Sequence, residues 1–244
     1  MLERGTLISG FAGLIMSTIS VQTAADYVDK RRIMIDEINQ TVRATSSYIG
    51  KKTLDPRVMA AMAKVPRHEF VPSSVQSIAY TNRPLPIGNG QTISQPYIVA
   101  LMTDLAKVDE DAIVLEVGTG SGYQAAVLAE MVKHVYTIEI IEALGLRADD
   151  DLKRLGYSNV TVKIGDGYHG WPEHAPFDAI LVTAAPEYVP EPLVKQLKKG
   201  GRLIIPVGRQ GETQSLTIIE KDENGKIHER DVLPVGFVPL TGKH

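Results

Sequence analysis

The chain after Asp111 alternates short apolar segments with longer amphipathic ones, and this alternation is the strongest constraint on its fold. Apolar runs of four or five residues are typical of buried strands, whereas the segments between them have the apolar spacing of helices. Because strand–helix–strand units of this length form right-handed crossovers, we expect a parallel sheet with helices on both faces. The predicted strands are residues 113–117, 135–138, 160–164 and 179–182, and the predicted helices are residues 123–132 and a segment that ends at Leu155.

The last part of the chain predicts a different ending for the sheet. Residues 203–207, 215–220 and 232–238 read as strands, and Asn224-Gly225 stands between the second and the third. Asn-Gly between two strands is a strong signal for a hairpin turn. The sequence therefore predicts an α/β fold with a doubly wound, mostly parallel sheet and an antiparallel C-terminal hairpin.

Two helices and one ordered loop are predicted before this sheet. Met34, Ile38 and Val42 recur every four residues among charged ones, which is typical of an amphipathic helix that covers the edge of a core. Asp55-Pro56 supplies a helix N-cap and a proline at the first helical position. The apolar stripe expected on this second helix comprises Val58, Met59, Met62 and Val65. Residues 84–94 mix Pro, Gly and Asn with apolar anchors, which favours an ordered binding loop or a packed connector.

Composition excludes several classes of function. The chain has 26 Lys and Arg against 29 Asp and Glu, a net charge of −3, so a basic surface for nucleic acid is not expected. It has no cysteine, which excludes disulfides, a thiolate nucleophile and thiolate metal sites. No His and carboxylate residues have metal-ligand spacing, so we predict no metal site.

The N-terminus carries an apolar run at residues 6–21, followed by small residues up to Ala25. This pattern favours a cleaved export signal over residues 1–25, which would place the mature protein in the periplasm. Glu3 offsets the charge of Arg4, so a helix that packs on the core is the alternative. The run is shorter than the roughly 20 residues of a membrane span, and no stable membrane anchor is expected.

A glycine-rich turn, Gly118-Thr119-Gly120-Ser121-Gly122, joins the first core strand to its helix. Glycines at such a turn let backbone amides approach a ligand closely, although tight packing of the helix on the strand is the alternative. The dinucleotide fingerprint needs a third glycine where Tyr123 stands, and no Gly-Lys-Ser/Thr follows, so dinucleotides and phosphate-loop nucleotides are disfavoured.

Acidic residues accompany this turn. Glu139 ends the next strand, where an acid can bind both hydroxyls of a ribose, and Asp166-Gly167 follows the strand after it. Because parallel strands end at the same sheet edge, the turn, Glu139 and Asp166 should line one crevice. Glu116 lies in an apolar strand, where an acid costs several kcal/mol unless it is paired. Its partner is either a ligand ammonium or a protein donor, such as a backbone amide or Lys133.

Six segments of the chain resemble the protein-L-isoaspartate O-methyltransferases. They are RHEFVP at 67–72, PLPIGNGQTISQPYIV at 84–99, residues 114–129, GDGYHGW at 165–171, FDAILVTAAP at 177–186, and residues 200–208. The resemblance covers residues 54–242, and PLPIGNGQTISQP is its most specific part. It implies a class I, Rossmann-like fold that binds S-adenosyl-L-methionine.

The resemblance also assigns roles to residues. It implies that Ser94 is the active-site serine and that its neighbours Thr92, Ile93 and Gln95 belong to the loop that closes over cofactor and substrate. For the cofactor it implies Gly118, Gly120 and Gly122 beneath the methionine moiety, Glu139 at the ribose, and Asp166 with Gly167 at the adenine. Gly236 stands where relatives commonly carry Arg, so a substrate contact through that side chain is not expected.

The implied activity is methylation of the α-carboxyl group of L-isoaspartyl residues in damaged proteins and peptides, which initiates their repair. Such a carboxyl has a pKa of roughly 3.5, so it is already an ionised nucleophile and needs no general base. The protein must supply alignment and a dry cleft. Ser94 would then donate a hydrogen bond to the carboxylate, or alternatively satisfy its own loop backbone before Pro96. A methyltransferase of another substrate class, or a non-catalytic cofactor-binding relative, remains as an alternative function.

The implied organisation is one catalytic domain over residues 26–244. Residues 26–110 would form the N-terminal helices and the active-site loop, and residues 111–244 the cofactor-binding α/β core. The family is ordinarily cytoplasmic, so the apolar leader is a departure from its usual form.

Overall fold

The computed structural model describes residues 24–243. Most of the predicted export signal lies outside these residues. Within them, no helix combines the length and the apolar character that crossing a bilayer requires.

Helices cover one side of the sheet at the start of the chain. Helix α1 (Ala24–Ala44) buries Met34, Ile38 and Val42 completely, which confirms the predicted amphipathic helix. After the short α2 (Ser46–Ile49), α3 (Pro56–Lys64) begins at Asp55, whose side chain accepts the backbone N–H of Arg57 at 2.8 Å. The predicted stripe of α3 faces the core, with Met59 only partly buried.

The predicted loop at residues 84–94 is a β-hairpin. Strands β1 (Leu85–Gly88) and β2 (Gln91–Ile93) pair antiparallel around Asn89-Gly90, whose φ angles of 53° and 72° are both left-handed. Asn-Gly favours this turn, so a hairpin could have been predicted here in place of a loop. The apolar anchors are buried as expected; they are Leu85, Ile87 and Ile93. Two 3₁₀ turns precede the hairpin, Arg67–Phe70 and Ser73–Ile78, and α4 (Pro96–Ala106) follows it.

Seven strands form the main sheet in the order β5-β4-β3-β6-β7-β8-β9. The first five are parallel, and β8 and β9 complete the sheet as an antiparallel meander, which confirms the predicted fold class. Their bounds are β3 Ile113–Val117, β4 His134–Glu139, β5 Val160–Ile164, β6 Phe177–Val182, β7 Leu197–Val207, β8 Gln214–Lys221 and β9 Ile227–Val235. The connecting helices are α5 Tyr123–Ala129, α6 Glu142–Arg154 and α7 Glu191–Lys195, with 3₁₀ turns at Gly167–His169 and Pro172–His174.

Two strands begin at least five residues earlier than predicted. Strand β9 begins at Ile227 and not at residue 232, and β7 begins at Leu197 and not at residue 203. The first five residues of β9 are all exposed and most of them are polar or charged, which an edge strand tolerates. Apolar alternation therefore marks only its buried second half.

The strand order places a crevice at one edge of the sheet. Strand β3 pairs with β4 on one side and with β6 on the other. Successive strands are therefore added on one side of β3 as far as β5 and on its other side from β6 onward. Ligands of open α/β sheets bind beyond the carboxyl ends of the strands at such a switch point. The N-terminal helices, the hairpin and the sheet share one apolar cluster, which holds the hairpin over this edge.

Candidate functional site

The glycine turn begins where β3 ends. Gly118, Gly120 and Gly122 have φ angles of 98°, 54° and 85°, all in the left-handed region that disfavours other residues. A Cβ on Gly118 would clash with the hydroxyl of Thr183, which donates to the Gly118 carbonyl at 2.6 Å. Thr183 follows β6 and was not singled out from the sequence. The turn is therefore held from both neighbouring strands.

Glu139 contacts the glycine turn directly. Its Oε2 accepts the backbone N–H of Gly120 at 2.7 Å, and its Oε1 accepts that of Ile141 at 2.9 Å. The structure thus brings together the turn and the acid of the next strand, as the sequence predicted. Each carboxylate oxygen has a second lone pair, so Glu139 can also accept hydrogen bonds from ligand hydroxyls.

Glu116 is fully buried in β3 and only half satisfied. The hydroxyl of Thr137 donates to its Oε2 at 2.6 Å, whereas its Oε1 has no hydrogen-bond partner in the described structure. Desolvation, which outweighs the hydrogen bond from Thr137, together with the nearby Glu139 carboxylate raises the pKa of Glu116 to about 8. The predicted protein partner, Lys133, is exposed and makes no bond to it. A buried acceptor without a donor is suited to a cationic ligand group.

Asp166 and Gly167 lie at the same sheet edge, after β5. Asp166 caps the following 3₁₀ turn, accepting the backbone N–H of Tyr168 at 3.0 Å and that of Lys243 at 3.1 Å. Gly167 is buried against Val117, where a Cβ would clash. Neither residue lines the two cavities described next.

Two cavities meet beside the glycine turn. The inner cavity, of about 50 Å³, is lined by Glu116, Glu139, the glycine turn and parts of β2 and α5. The outer groove, of about 480 Å³, lies between α1, α4 and the segment after β9. Four residues line both cavities: Thr92, Ser94, Thr183 and Val238. These four mark the junction of the two spaces.

Ser94 lies at this junction, between the end of β2 and the start of α4. Its hydroxyl makes no hydrogen bond within residues 24–243, so it does not tie down its own loop. Its carbonyl oxygen instead accepts a bond from Nη2 of Arg67 at 2.7 Å. A free hydroxyl at the junction can donate to a ligand that enters either cavity.

The other predicted loop residues have different positions. Thr92 is exposed on β2 and lines both cavities, whereas Gln95 lines only the outer groove. The Gln95 amide donates to the carbonyl of Asn82 at 3.0 Å, which holds the start of α4. Gly236 also lines the outer groove, and a Cβ there would meet nothing within 4 Å. The groove is therefore open at this position.

Arg67 is a second residue to which the sequence assigned no role. It is completely buried, yet its neighbours His68 and Glu69 make the segment look like a solvated charged turn. Nothing in the local pattern indicates burial.

Among the described residues, no group of three or more His, Asp and Glu side chains could hold a metal ion.

Comparison with known proteins gives one consistent result. A family model described as protein-L-isoaspartate(D-aspartate) O-methyltransferase (PCMT) matches residues 42–244. The chain is 64% identical over 223 residues to protein-L-isoaspartate O-methyltransferase 2 of Syntrophobacter fumaroxidans, covering 91% of this chain and 90% of that protein. It is 63% identical over 210 residues to the protein of the same name from a Polaromonas species, covering 86% and 100%.

Solved structures agree with these relatives. A protein-L-isoaspartate O-methyltransferase superposes with a TM-score of 0.76 at 29% identity, over 87% of this chain and 66% of its own length. A Plasmodium falciparum beta-aspartate methyltransferase (PCMT) in complex with S-adenosyl-L-homocysteine superposes with a TM-score of 0.70 at 26% identity, over 86% and 98%.

Proposed function

Since the chain belongs to the protein-L-isoaspartate(D-aspartate) O-methyltransferase family, we propose that its inner cavity binds the cofactor and its outer groove binds the substrate. Ser94 orients the substrate carboxylate where the two cavities meet. The enzyme methylates the α-carboxyl group of L-isoaspartyl residues in damaged proteins and peptides, using S-adenosyl-L-methionine. The observation that carries the assignment is the free Ser94 hydroxyl at the junction of the two cavities.

The residues of the inner cavity fit this cofactor. Glu116 offers an unpartnered buried oxygen, which suits the ammonium of the methionine moiety. Glu139 keeps lone pairs for the ribose hydroxyls while it holds the Gly120 amide. Asp166 and Gly167 lie beyond β5, next to the strand that carries Glu139, which suits an adenine adjoining the ribose. When bound, the cofactor supplies an electrophilic methyl group on a sulfonium.

The protein's own contribution is alignment. An isoaspartyl α-carboxylate is ionised at neutral pH, so no base has to be placed beside it. Ser94 donates a hydrogen bond that orients the carboxylate at the junction, and correct orientation can supply about 7 to 11 kcal/mol of a barrier. The outer groove receives the flanking peptide, with open space at Gly236. The net charge of −3 argues against a nucleic acid as the methyl acceptor.

Ser94→Ala tests this role. A hydrogen bond to a charged group is worth about 1.5 to 3 kcal/mol, so we expect the rate of isoaspartyl peptide methylation to fall about tenfold to a hundredfold. The affinity for S-adenosylhomocysteine and the melting temperature should stay nearly unchanged, because the lost bond forms only with substrate.

The alternative role for Ser94 has a different signature. A serine that only stabilised its loop would, on removal, lower the cofactor affinity and the melting temperature together with the rate. Wild-type turnover in Ser94→Ala would remove the residue from the mechanism.

A further inference from the structure

The guanidinium of Arg67 is buried without a counter-charge. Arg67 is 0% exposed, and no acidic side chain pairs with it among residues 24–243. Desolvation lowers the pKa of Arg67 to about 10, so the group is still a cation at neutral pH. A buried unpaired cation is costly, and packing alone would be served better by an apolar side chain. The hydrogen bonds of Arg67 must therefore explain why an arginine occupies this position.

The contacts of Arg67 connect segments that line the inner cavity and the outer groove. Nη2 donates to the carbonyl of Ser94 at 2.7 Å, and Nε donates to the carbonyl of Ala79 at 2.8 Å. The guanidinium carbon lies 4.8 Å from the ring centroid of Tyr123. Tyr123 follows the glycine turn and lines the inner cavity, whereas Ser94 lines both cavities. One rigid planar group thus spans from the hairpin to the helix behind the glycine turn.

The bond to the Ser94 carbonyl has a direct effect on the hydroxyl of the same residue. The peptide group is planar, so a fixed carbonyl fixes the whole Ser94–Gln95 peptide. The free hydroxyl has no bond of its own to set its direction. The backbone that Arg67 holds then sets the position of the Ser94 Cα, and with it the few staggered positions open to the hydroxyl. Proper alignment matters here, since a misplacement of about 1 Å can cost roughly a hundredfold in rate.

We propose that Arg67 is a positioning residue that holds the Ser94–Gln95 peptide, so that the Ser94 hydroxyl points to the junction of cofactor and substrate. This inference rests on the proposed role of Ser94. A guanidinium suits the task because its donors lie in one plane at fixed angles and can bond two carbonyls while stacking on a ring. Lysine offers the charge without that geometry.

The test is a double-mutant cycle. Arg67→Lys and Arg67→Gln are each made in the wild-type and the Ser94→Ala backgrounds, and kcat for an isoaspartyl peptide is measured per S-adenosylhomocysteine-binding site. Titrating sites removes any loss caused by misfolded molecules. We expect either substitution to lower kcat on the order of tenfold to a hundredfold in the wild-type background, with little change in S-adenosylhomocysteine affinity. In Ser94→Ala the same substitutions should have almost no further effect on kcat.

Arg202→Gln is the matched control. Arg202 is also largely buried and donates to a backbone carbonyl, that of Leu105, but it lines neither cavity. Its substitution should lower the melting temperature while kcat per site stays at the wild-type value.

The outcomes separate this inference from the proposed function. A wild-type enzyme that leaves isoaspartyl peptide unmethylated overturns the proposed function. Unchanged kcat in Ser94→Ala overturns the role of Ser94 and this inference together. An Arg67 substitution that lowers kcat by the same factor in both backgrounds, or that leaves kcat per site unchanged, overturns only the inference. If neither Arg67 variant yields cofactor-binding sites, the residue is required for folding and the inference is also wrong.

Discussion

The substitution Glu116→Gln should abolish a pH dependence of cofactor binding that the wild-type protein shows. Glutamine keeps the shape of the side chain and its hydrogen-bonding capacity but cannot ionise. In the cofactor-free protein the pKa of Glu116 is about 8 because of burial, so the carboxyl is mostly protonated at neutral pH. Pairing with a ligand ammonium requires the ionised form, and binding must therefore release a proton below pH 8.

The size of the effect follows from this pKa. About 1% of Glu116 is ionised at pH 6 and about half at pH 8, so wild-type affinity for S-adenosylhomocysteine should rise about fiftyfold over that range. The Glu116→Gln affinity should not exceed that of wild type at pH 6 and should show no such rise. Other groups that titrate in this range affect both proteins equally, so the difference isolates Glu116.

Isothermal titration calorimetry provides the assay. Titrations of both proteins at pH 6, 7 and 8, each in two buffers of different ionisation enthalpy, give the affinity and the number of protons released. We expect nearly one proton released by the wild type at pH 7 and none from this site by the variant. Parallel pH profiles for the two proteins would refute the pairing of Glu116 with the ammonium.

The raised pKa of Glu116 also determines whether the free energy of unfolding rises or falls with pH. The native protein keeps a proton on Glu116 that the unfolded chain has lost between about pH 4.5 and 8. The free energy of unfolding of the cofactor-free wild type should therefore fall as pH rises through that window, relative to Glu116→Gln. Denaturant unfolding at pH 5 and pH 8 measures this difference.

Three further predictions concern the glycine turn and the N-terminus. Gly120→Val should abolish S-adenosylhomocysteine binding in a calorimetric titration, because φ is 54° and an added Cβ would already contact the Ile87 side chain; unchanged affinity would make the turn merely structural. A chain that begins at Asp26 should fold and methylate, since the buried face of α1 starts at Met34. A chain that begins at Arg32 should melt at a lower temperature, because it loses the Tyr27–His68 stack at 3.7 Å and the Arg31 bonds to Ala63, Lys64 and Tyr80. Failure of the first chain to fold would instead assign the preceding residues to the core.

Much of the fold follows from local sequence patterns. The bounds of β3 match the prediction because buried parallel strands are short apolar runs that end in glycine or polar turns. Those of β5, an edge strand without a buried residue, match because its sequence alternates between apolar and polar residues. The proximity of Glu139 to the glycine turn follows from topology alone, since parallel strands end at one edge.

What the sequence did not indicate depends on contacts between distant segments. Arg67 lies 27 positions before Ser94 in the chain, and only the folding of the hairpin onto the sheet brings the two together. The role of Thr183 likewise depends on β6 lying beside β3. The β1–β2 hairpin is a different case, because Asn89-Gly90 carried a local signal that the abundance of Pro and Gly around it obscured.

We propose that this enzyme methylates an isoaspartyl carboxylate at the junction of its two cavities. The most direct measurement is transfer of a labelled methyl group from S-adenosyl-L-methionine to an isoaspartyl peptide and, in parallel, to a peptide of the same sequence with a normal aspartyl residue. We expect label on the isoaspartyl peptide alone, released as methanol in mild base because the product is an ester. Equal labelling of both peptides, or cofactor binding without any labelling, would contradict it.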